Sequence, residues 1–177
     1  MGQKERRTLS IREIRIYGDP VLTTEAKEIT EFDESLEELA SDMLDTMEAA
    51  GGVGLAANQI GLLKRIFVYD CTHTETGMRG AIINPVWEAI GDKTQTGMEG
   101  CLSIPDISTP TTRYETVRVS GQDVKGNPIG MVVSGLMARC VQHETDHLNG
   151  VLFLQRLEGD ARKQAMAEIR VSSWFSK

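Results

Sequence analysis

Apolar residues recur at helical spacing in two stretches of this chain. In the first, from about 34 to 50, five of them share one helical face: Leu36, Leu39, Ala40, Met43 and Met47. Asp33 precedes this stretch as a residue suited to an N-cap, and Gly51 follows it as a stop signal. These features predict a helix over the stretch, with its apolar face turned toward a core.

The second helical stretch lies between Ser134, which favours an N-cap, and Asn149-Gly150, which is typical of a helix end. Its main face carries two apolar residues and two histidines: Leu136, Cys140, His143 and His147. A second apolar row runs beside this face. Together the two rows make a wide arc of the helix surface apolar. We therefore predict that this helix is packed inside the protein, where other elements cover most of its sides.

Much of the remaining chain consists of short runs rich in β-branched and aromatic residues. Strands are predicted at 65–69, at 80–84, at 86–90, around Cys101 and at 116–120. A turn at 123–128 suits a hairpin, the glycine-rich segment 52–61 is predicted to be irregular, and 151–154 is a short apolar run. A last helix is predicted from Gly159 to about Val171. The predicted fold class is α+β, with short, largely antiparallel strands around the second helix and with an N-terminal and a C-terminal helix.

Composition narrows the possible classes of protein. The chain has 177 residues, 40% of them hydrophobic, which suits one domain at 11–177 after a polar, flexible extension at 1–10. No apolar run reaches the roughly 20 residues of a membrane span, and no secretory signal is predicted. A formal net charge of −7 disfavours a nucleic-acid site. Three cysteines without a disulfide framework favour the cytoplasm.

Candidate chemistry is concentrated at 143–147, which read His-Glu-Thr-Asp-His. Residues four apart lie on one face of a helix, so His143 and His147 can bind one metal ion. Glu144, beside the first of them, can then carry a proton for a hydrolytic reaction. The alternative is a buried helix whose histidines are satisfied by ordinary hydrogen bonds.

A hydrolytic metal site needs a third protein ligand. Cys101 is the best candidate, because the adjacent Gly100 allows the backbone to approach closely, although the local sequence by itself favours a buried structural cysteine. His73 lies in a polar connector and is predicted at the surface. Cys140 is predicted to be core packing, and Cys71 ends a strand without a distinguishing context.

Three separated motifs stand out along the chain: Gly-Val-Gly-Leu-Ala-Ala-Asn-Gln at 52–59, Glu-Gly-Cys-Leu-Ser at 99–103 and Gln-His-Glu-Thr-Asp-His at 142–147. They resemble the motifs of the peptide deformylases. All three occur in the family's order, and the resemblance spans about 11 to 157. The chain is similar to the compact bacterial type of the family.

The resemblance implies a hydrolase that removes the N-formyl group from the N-terminal formyl-methionine of newly synthesised polypeptides and releases formate. It implies one divalent metal ion held by Cys101, His143 and His147, with Fe²⁺ expected in vivo and Zn²⁺, Ni²⁺ or Co²⁺ accepted. Glu144 is implied as the general base and acid. The side-chain amide of Gln59 and the backbone N–H of Leu102 are implied as donors to the formyl oxygen.

The resemblance also implies how the substrate is held. The methionine side chain enters a slot whose walls are Val53, Leu136, Cys140 and the aliphatic stem of Arg139. The following residues pair as an extended strand near Gly54 and Gly100. We also hypothesise that Glu99 pairs with Arg113 and so braces the cysteine segment.

The expected partners are nascent formyl-Met polypeptides and, transiently, the ribosome. A monomer without membrane contact is expected. An HExxH-type metalloprotease remains an alternative, although such enzymes usually take their third ligand from downstream of the helix. A non-catalytic protein with four metal ligands is the other alternative. Formate release and cleavage of internal peptide bonds distinguish these classes.

Overall fold

In a computed structural model of the protein, the described residues are 10–75 and 77–175. The α-helices are α1 (Glu34–Ala49), α2 (Gly135–Leu148) and α3 (Gly159–Arg170). The strands are β1 (Gly54–Ala56), β2 (Ile66–Asp70), β3 (Arg79–Ala89), β4 (Thr94–Cys101), β5 (Ile104–Tyr114), β6 (Thr116–Gln122) and β7 (Pro128–Ser134). Short 3-10 helices occupy Pro20–Thr23, Ala57–Ile60 and Phe153–Arg156. The predicted extension at 1–10 lies outside the described residues except for Ser10.

The strands form two antiparallel sheets around α2. The larger sheet has the order β1-β2-β3-β6-β7, and the smaller one contains β4 and β5. Helix α2 contacts strands of both sheets, and Met137, Val141 and Leu148 of this helix share a buried cluster with Phe67 and Val119. The α+β fold class with a central helix is confirmed. Within the described residues, β1 and β4 each pair on one side only, so each leaves one edge free.

The first two predicted helices, α1 and α2, begin and end at the residues expected to cap them. The Asp33 carboxylate accepts the backbone N–H of Leu36, which satisfies a donor that the first turn of α1 leaves free. Ser134 is the N-cap residue of α2, but its hydroxyl bonds to that of Thr116 instead of capping the helix. Gly150 follows α2 with a φ of 73°, and a Cβ there would lie 2.8 Å from the backbone of Thr23. Glycine is therefore required at this stop.

Two local predictions were wrong. The segment 52–61 is not irregular throughout, because it contains β1 and a 3-10 helix at Ala57–Ile60. The runs at 80–84 and 86–90 are one strand, β3, whose register shifts between Ile83 and Val86. Asn84 lies at this bulge with a φ of 51°, and its side chain bonds to the backbone of Ile29. The apolar run at 151–154, for which no element was predicted, leads into the 3-10 helix at Phe153–Arg156.

One further property follows from helix length. No helix in the described part of the chain is both long enough and apolar enough to cross a membrane.

Candidate active site

A cavity of about 360 Å³ opens between the two sheets beside α2. It is lined by β1 and the glycines before it, by β4, by the start of β5 and by α2 from Leu136 to Glu144. Every predicted site residue except His147 lines this cavity: Val53, Gly54, Gln59, Gly100, Cys101, Leu102, Leu136, Arg139, Cys140, His143 and Glu144. Residues that are far apart in sequence thus meet at one place.

The three predicted metal ligands converge behind the cavity. Cys101 ends β4, while His143 and His147 stand one helical turn apart on α2. The two Nε2 atoms are 3.1 Å apart, and Sγ of Cys101 lies 3.3 Å from Nε2 of His147. Within the described residues, these three side chains form the group whose ligand atoms all lie within 4.8 Å of one another. One sulfur and two imidazole nitrogens are a donor set that a divalent transition metal accepts, so the residues present fit such an ion.

Glu99 fixes the orientation of one of these imidazoles. Its Oε2 lies 2.8 Å from Nδ1 of His143. Burial alone would raise the pKa of Glu99, but the hydrogen bonds from His143 and Arg113 hold it well below its usual range. An ionised carboxylate only accepts hydrogen bonds, so Nδ1 of His143 carries a proton, and Nε2 is the ring nitrogen that faces the other two ligand atoms.

Two arginines surround the same carboxylate. Arg113 donates to Glu99 through Nη2 at 2.6 Å and Nε at 3.1 Å, which confirms the predicted contact. Arg139 donates through Nη1 at 2.8 Å to Glu99 and at 2.9 Å to the carbonyl of Thr111. The guanidinium of Arg139 is therefore occupied by these acceptors, which is compatible with a role of its stem as a cavity wall.

Asp146 belongs to the same network, although it was not among the predicted site residues. It accepts hydrogen bonds from Arg113 at 2.8 Å and from Arg156 at 2.8 and 3.0 Å. Its place as the fourth residue of the His-Glu-Thr-Asp-His motif was the available signal. Gln142, which precedes that motif, exchanges hydrogen bonds with the backbone of Tyr114 and so ties α2 to the end of β5.

Glu144 stands at the inner wall of the cavity. It is buried, and its Oε2 has no hydrogen-bond partner among the residues that the structure describes. Burial raises the pKa of Glu144 to about 7. Its Oε1 lies 3.9 Å from Nε2 of His143. This carboxyl group is thus placed beside the converging ligands and is suited to exchange protons near neutral pH.

Gln59 is oriented by the backbone around it. Its Oε1 accepts the N–H of Ala56 at 2.9 Å, so its amide nitrogen turns the other way. That nitrogen lies 3.1 Å from Oγ of Ser103 and 3.6 Å from Sγ of Cys101. Ser103 was not predicted, although it is the last residue of the motif at 99–103. The arrangement places an amide donor beside Leu102, which lines the same cavity.

The other three candidate ligands take different positions. His73 is exposed, as predicted. Cys71 is buried with its sulfur 3.8 Å from that of Met137. Cys140 is buried and lines the cavity with its sulfur toward the carbonyl of Val53. In the described ranges, none of the three joins the group formed by Cys101 and the two histidines.

Comparison with known proteins agrees with this geometry. A family model described as polypeptide deformylase matches residues 11–163. The chain belongs to the peptide deformylase family. Peptide deformylase 1 of Corynebacterium efficiens is 65% identical over 169 residues, covering 96% of this chain and 100% of that protein. Peptide deformylase 1 of Corynebacterium glutamicum is 64% identical with the same coverage of both chains.

Solved peptide deformylase structures share the fold. The enzyme from Thermus thermophilus superposes with a TM-score of 0.83 at 40% identity, over 90% of this chain and 93% of that one. The enzyme from Legionella pneumophila gives a TM-score of 0.82 at 40% identity, over 89% and 92% of the two chains. The similarity to these solved deformylases supports the predicted family over the metalloprotease alternative.

Proposed function

We propose that this chain is a metal-dependent hydrolase that removes the N-formyl group from the N-terminal formyl-methionine of newly synthesised polypeptides and releases formate. The observation that carries the proposal is the convergence of Sγ of Cys101 with the Nε2 atoms of His143 and His147 beside the buried Glu144. The family relationship supplies the reaction, and this convergence supplies the residues.

One divalent metal ion would be held by Cys101, His143 and His147. When bound, it supplies Lewis-acid activation of water and of the formyl carbonyl. A thiolate with two neutral imidazoles leaves one net positive charge on the centre and gives a softer donor set than three histidines. This set suits Fe²⁺ as the ion used in vivo, and Zn²⁺, Ni²⁺ and Co²⁺ also fit its donors.

Glu144 takes the proton from the attacking water and then gives it to the leaving amine. Its burial and its unpartnered Oε2 support this role, because a group that must both accept and donate works best with a pKa near the working pH. Negative charge develops on the formyl oxygen during attack. The amide nitrogen of Gln59 and the backbone N–H of Leu102 donate to that oxygen from fixed positions.

The free edges of β1 and β4 hold the peptide. Both edges border the cavity through Gly54 and Gly100, so an extended peptide can pair with their backbone as an added strand. The methionine side chain occupies the slot between Val53, Leu136, Cys140 and the stem of Arg139. All of this machinery lies within a single catalytic domain at 11–177.

The direct test is release of formate by protein loaded anaerobically with Fe²⁺. A formyl-Met tripeptide should yield formate, while the same peptide without the formyl group should remain intact. Cleavage of internal bonds instead would identify a protease. Glu144→Ala should retain the metal and lose turnover, and if this variant still releases formate at the wild-type rate, the proposed mechanism is wrong.

The setting of the reaction is proposed on the same basis. The substrate emerges from ribosomes, so the enzyme works in the cytoplasm as a monomer with transient ribosome contact. Sedimentation equilibrium tests the monomer, and co-sedimentation with ribosomes carrying formyl-Met chains tests the contact. A dimer would contradict the proposed monomer, and absence of co-sedimentation would contradict the proposed ribosome contact. Neither result bears on the hydrolysis of the formyl group, which formate release tests.

A further inference from the structure

Strand β5 carries a bulge at the mouth of the cleft. Gly100 pairs with Ser108, but the next residue of β4, Cys101, pairs with Ile104. The stretch 105–107 therefore has no counterpart on β4. Bulges next to active sites commonly redirect a side chain, and this one lies opposite the proposed metal ligand Cys101.

The bulge is held on both sides of its central residue. The carbonyl of Pro105 accepts a hydrogen bond from Nε1 of Trp174 at 3.0 Å. Ile107 is buried in a hydrophobic cluster that also contains Ile104. Between these anchors, Asp106 adopts a left-handed φ of 64°, which aspartate and asparagine tolerate better than most residues. The position of Asp106 is thus set by the packing around it.

Asp106 is the charged residue on the exposed part of the cleft lining. The exposed lining residues in the described ranges are Gly51, Met98, Gly100, Asp106 and Ser108. The other charged lining residues, Glu99, Arg139 and Glu144, are buried, and the first two bond to each other. Asp106 pairs with no cation or donor in the part of the chain that the structure describes.

This carboxylate lies on the exposed side of the cleft in which the substrate is proposed to bind. The formyl group reacts at the buried end of the cleft, beside Cys101 and His143, so the residues after methionine leave through the exposed end. A peptide held between the edges of β1 and β4 is extended, and its side chains project alternately to either side. Since Asp106 lines the same cleft, we expect one of the first residues after methionine to come near it.

We propose that Asp106 gives this enzyme a preference for nascent chains with lysine or arginine at the second or third residue. The inference rests on the proposed deformylase function, because it concerns how the same cleft selects its substrate. Exposed pairs of opposite charge are weak, so the preference is modest and falls as salt screens the charges.

The test compares kcat/KM for formyl-Met-Lys-Ala, formyl-Met-Gln-Ala and formyl-Met-Glu-Ala, and for the same residues at the third position. At one of these positions, lysine should exceed glutamine by about threefold and glutamate should fall below it by a similar factor. The ratio should approach one in about 0.5 M salt. In Asp106→Asn, which suits the same backbone conformation, the ratio should also approach one.

Asp92→Asn is the matched control, since it removes an equal charge from an exposed residue outside the cleft lining. This variant should keep the wild-type ratio. Equal rates for all three peptides at both positions, or a preference that survives in Asp106→Asn, would overturn the proposal. A preference lost equally in both variants would reflect overall charge and would overturn it too. Absence of formate from every formyl peptide would instead refute the proposed function.

Discussion

Oε2 of Glu99 lies 2.8 Å from Nδ1 of His143, so a buried carboxylate holds one of the proposed metal ligands from behind. The same carboxylate accepts hydrogen bonds from Arg113 and Arg139. It therefore neutralises buried cations and also sets which nitrogen of the imidazole carries the proton. We therefore expect stability and metal binding to be coupled through one side chain.

Replacement of Glu99 by glutamine should weaken metal binding about 10- to 100-fold, the range found when an outer partner of a metal-ligating histidine is lost. The neutral amide keeps the shape but no longer balances two buried guanidinium groups, so unfolding free energy should also fall by about 3–5 kcal/mol. Chelator competition measures the first effect, and urea unfolding measures the second.

Glu88→Gln is a matched control for this substitution. Glu88 also accepts a hydrogen bond from an arginine, Arg118, but both side chains are more than half exposed. Removal of a solvent-screened pair should change stability by less than about 1 kcal/mol and leave metal binding unchanged. Wild-type metal affinity in Glu99→Gln would show that the carboxylate does not orient His143.

Arg113→Met should destabilise the protein by about 3–5 kcal/mol, because it leaves Glu99 and Asp146 buried with one cation fewer. Turnover and metal content should fall as the cysteine segment and α2 lose their common partner. Arg118→Met, at an exposed pair, should be nearly neutral. Unchanged metal content and turnover in Arg113→Met would contradict the bracing role.

The parts of the fold that could be predicted are those whose signals are local. Asp33 and Gly51 bracket α1, and Asn149-Gly150 ends α2, so capping and periodicity were sufficient. Strand β5 was missed although its buried positions alternate, because Pro105 and Pro110 argue against a strand. Strand β7 was also missed. Both depend on pairing with neighbours, which a single segment does not reveal.

The residues of the candidate site also fall into two groups, those with a local signal in the sequence and those without one. The motifs carry Gln59, Cys101 and Glu144, so these residues could be assigned by resemblance. The contact between Arg113 and Asp146 could not, because it exists only where β5 packs against α2. The same holds for the bulge that carries Asp106, since its register is defined by β4 and not by its own sequence.

Removal of the metal should lower the melting temperature. An ion present at about a thousand times its dissociation constant stabilises the folded state by about 4 kcal/mol, which for a chain of this size corresponds to about 10 °C. Calorimetry with and without a chelator measures the shift. The shift should vanish in Cys101→Ala and persist in Cys71→Ala, whose sulfur lies outside the ligand group. A shift retained in Cys101→Ala would remove that cysteine from the ligand set.

Gly54→Ala should impair catalysis more than stability. A Cβ at this position would lie 2.6 Å from Oε1 of Glu144 and 2.8 Å from Sγ of Cys140, so these two buried groups must move. A displacement of about 1 Å at a catalytic group can lower turnover about 100-fold, while overpacking of this kind costs about 1–3 kcal/mol. Steady-state formate release and urea unfolding separate the two effects.

Gly130→Ala is the control for this substitution, because the nearest atom to its added Cβ is the carbonyl oxygen of Val119 at 3.9 Å, an ordinary contact. It should keep wild-type turnover and should not lose stability, since alanine costs less backbone entropy than glycine in a strand. If Gly54→Ala and Gly130→Ala release formate at the same rate, the carboxylate of Glu144 does not need the position it has here. The close approach of β1 to α2 would then serve packing alone.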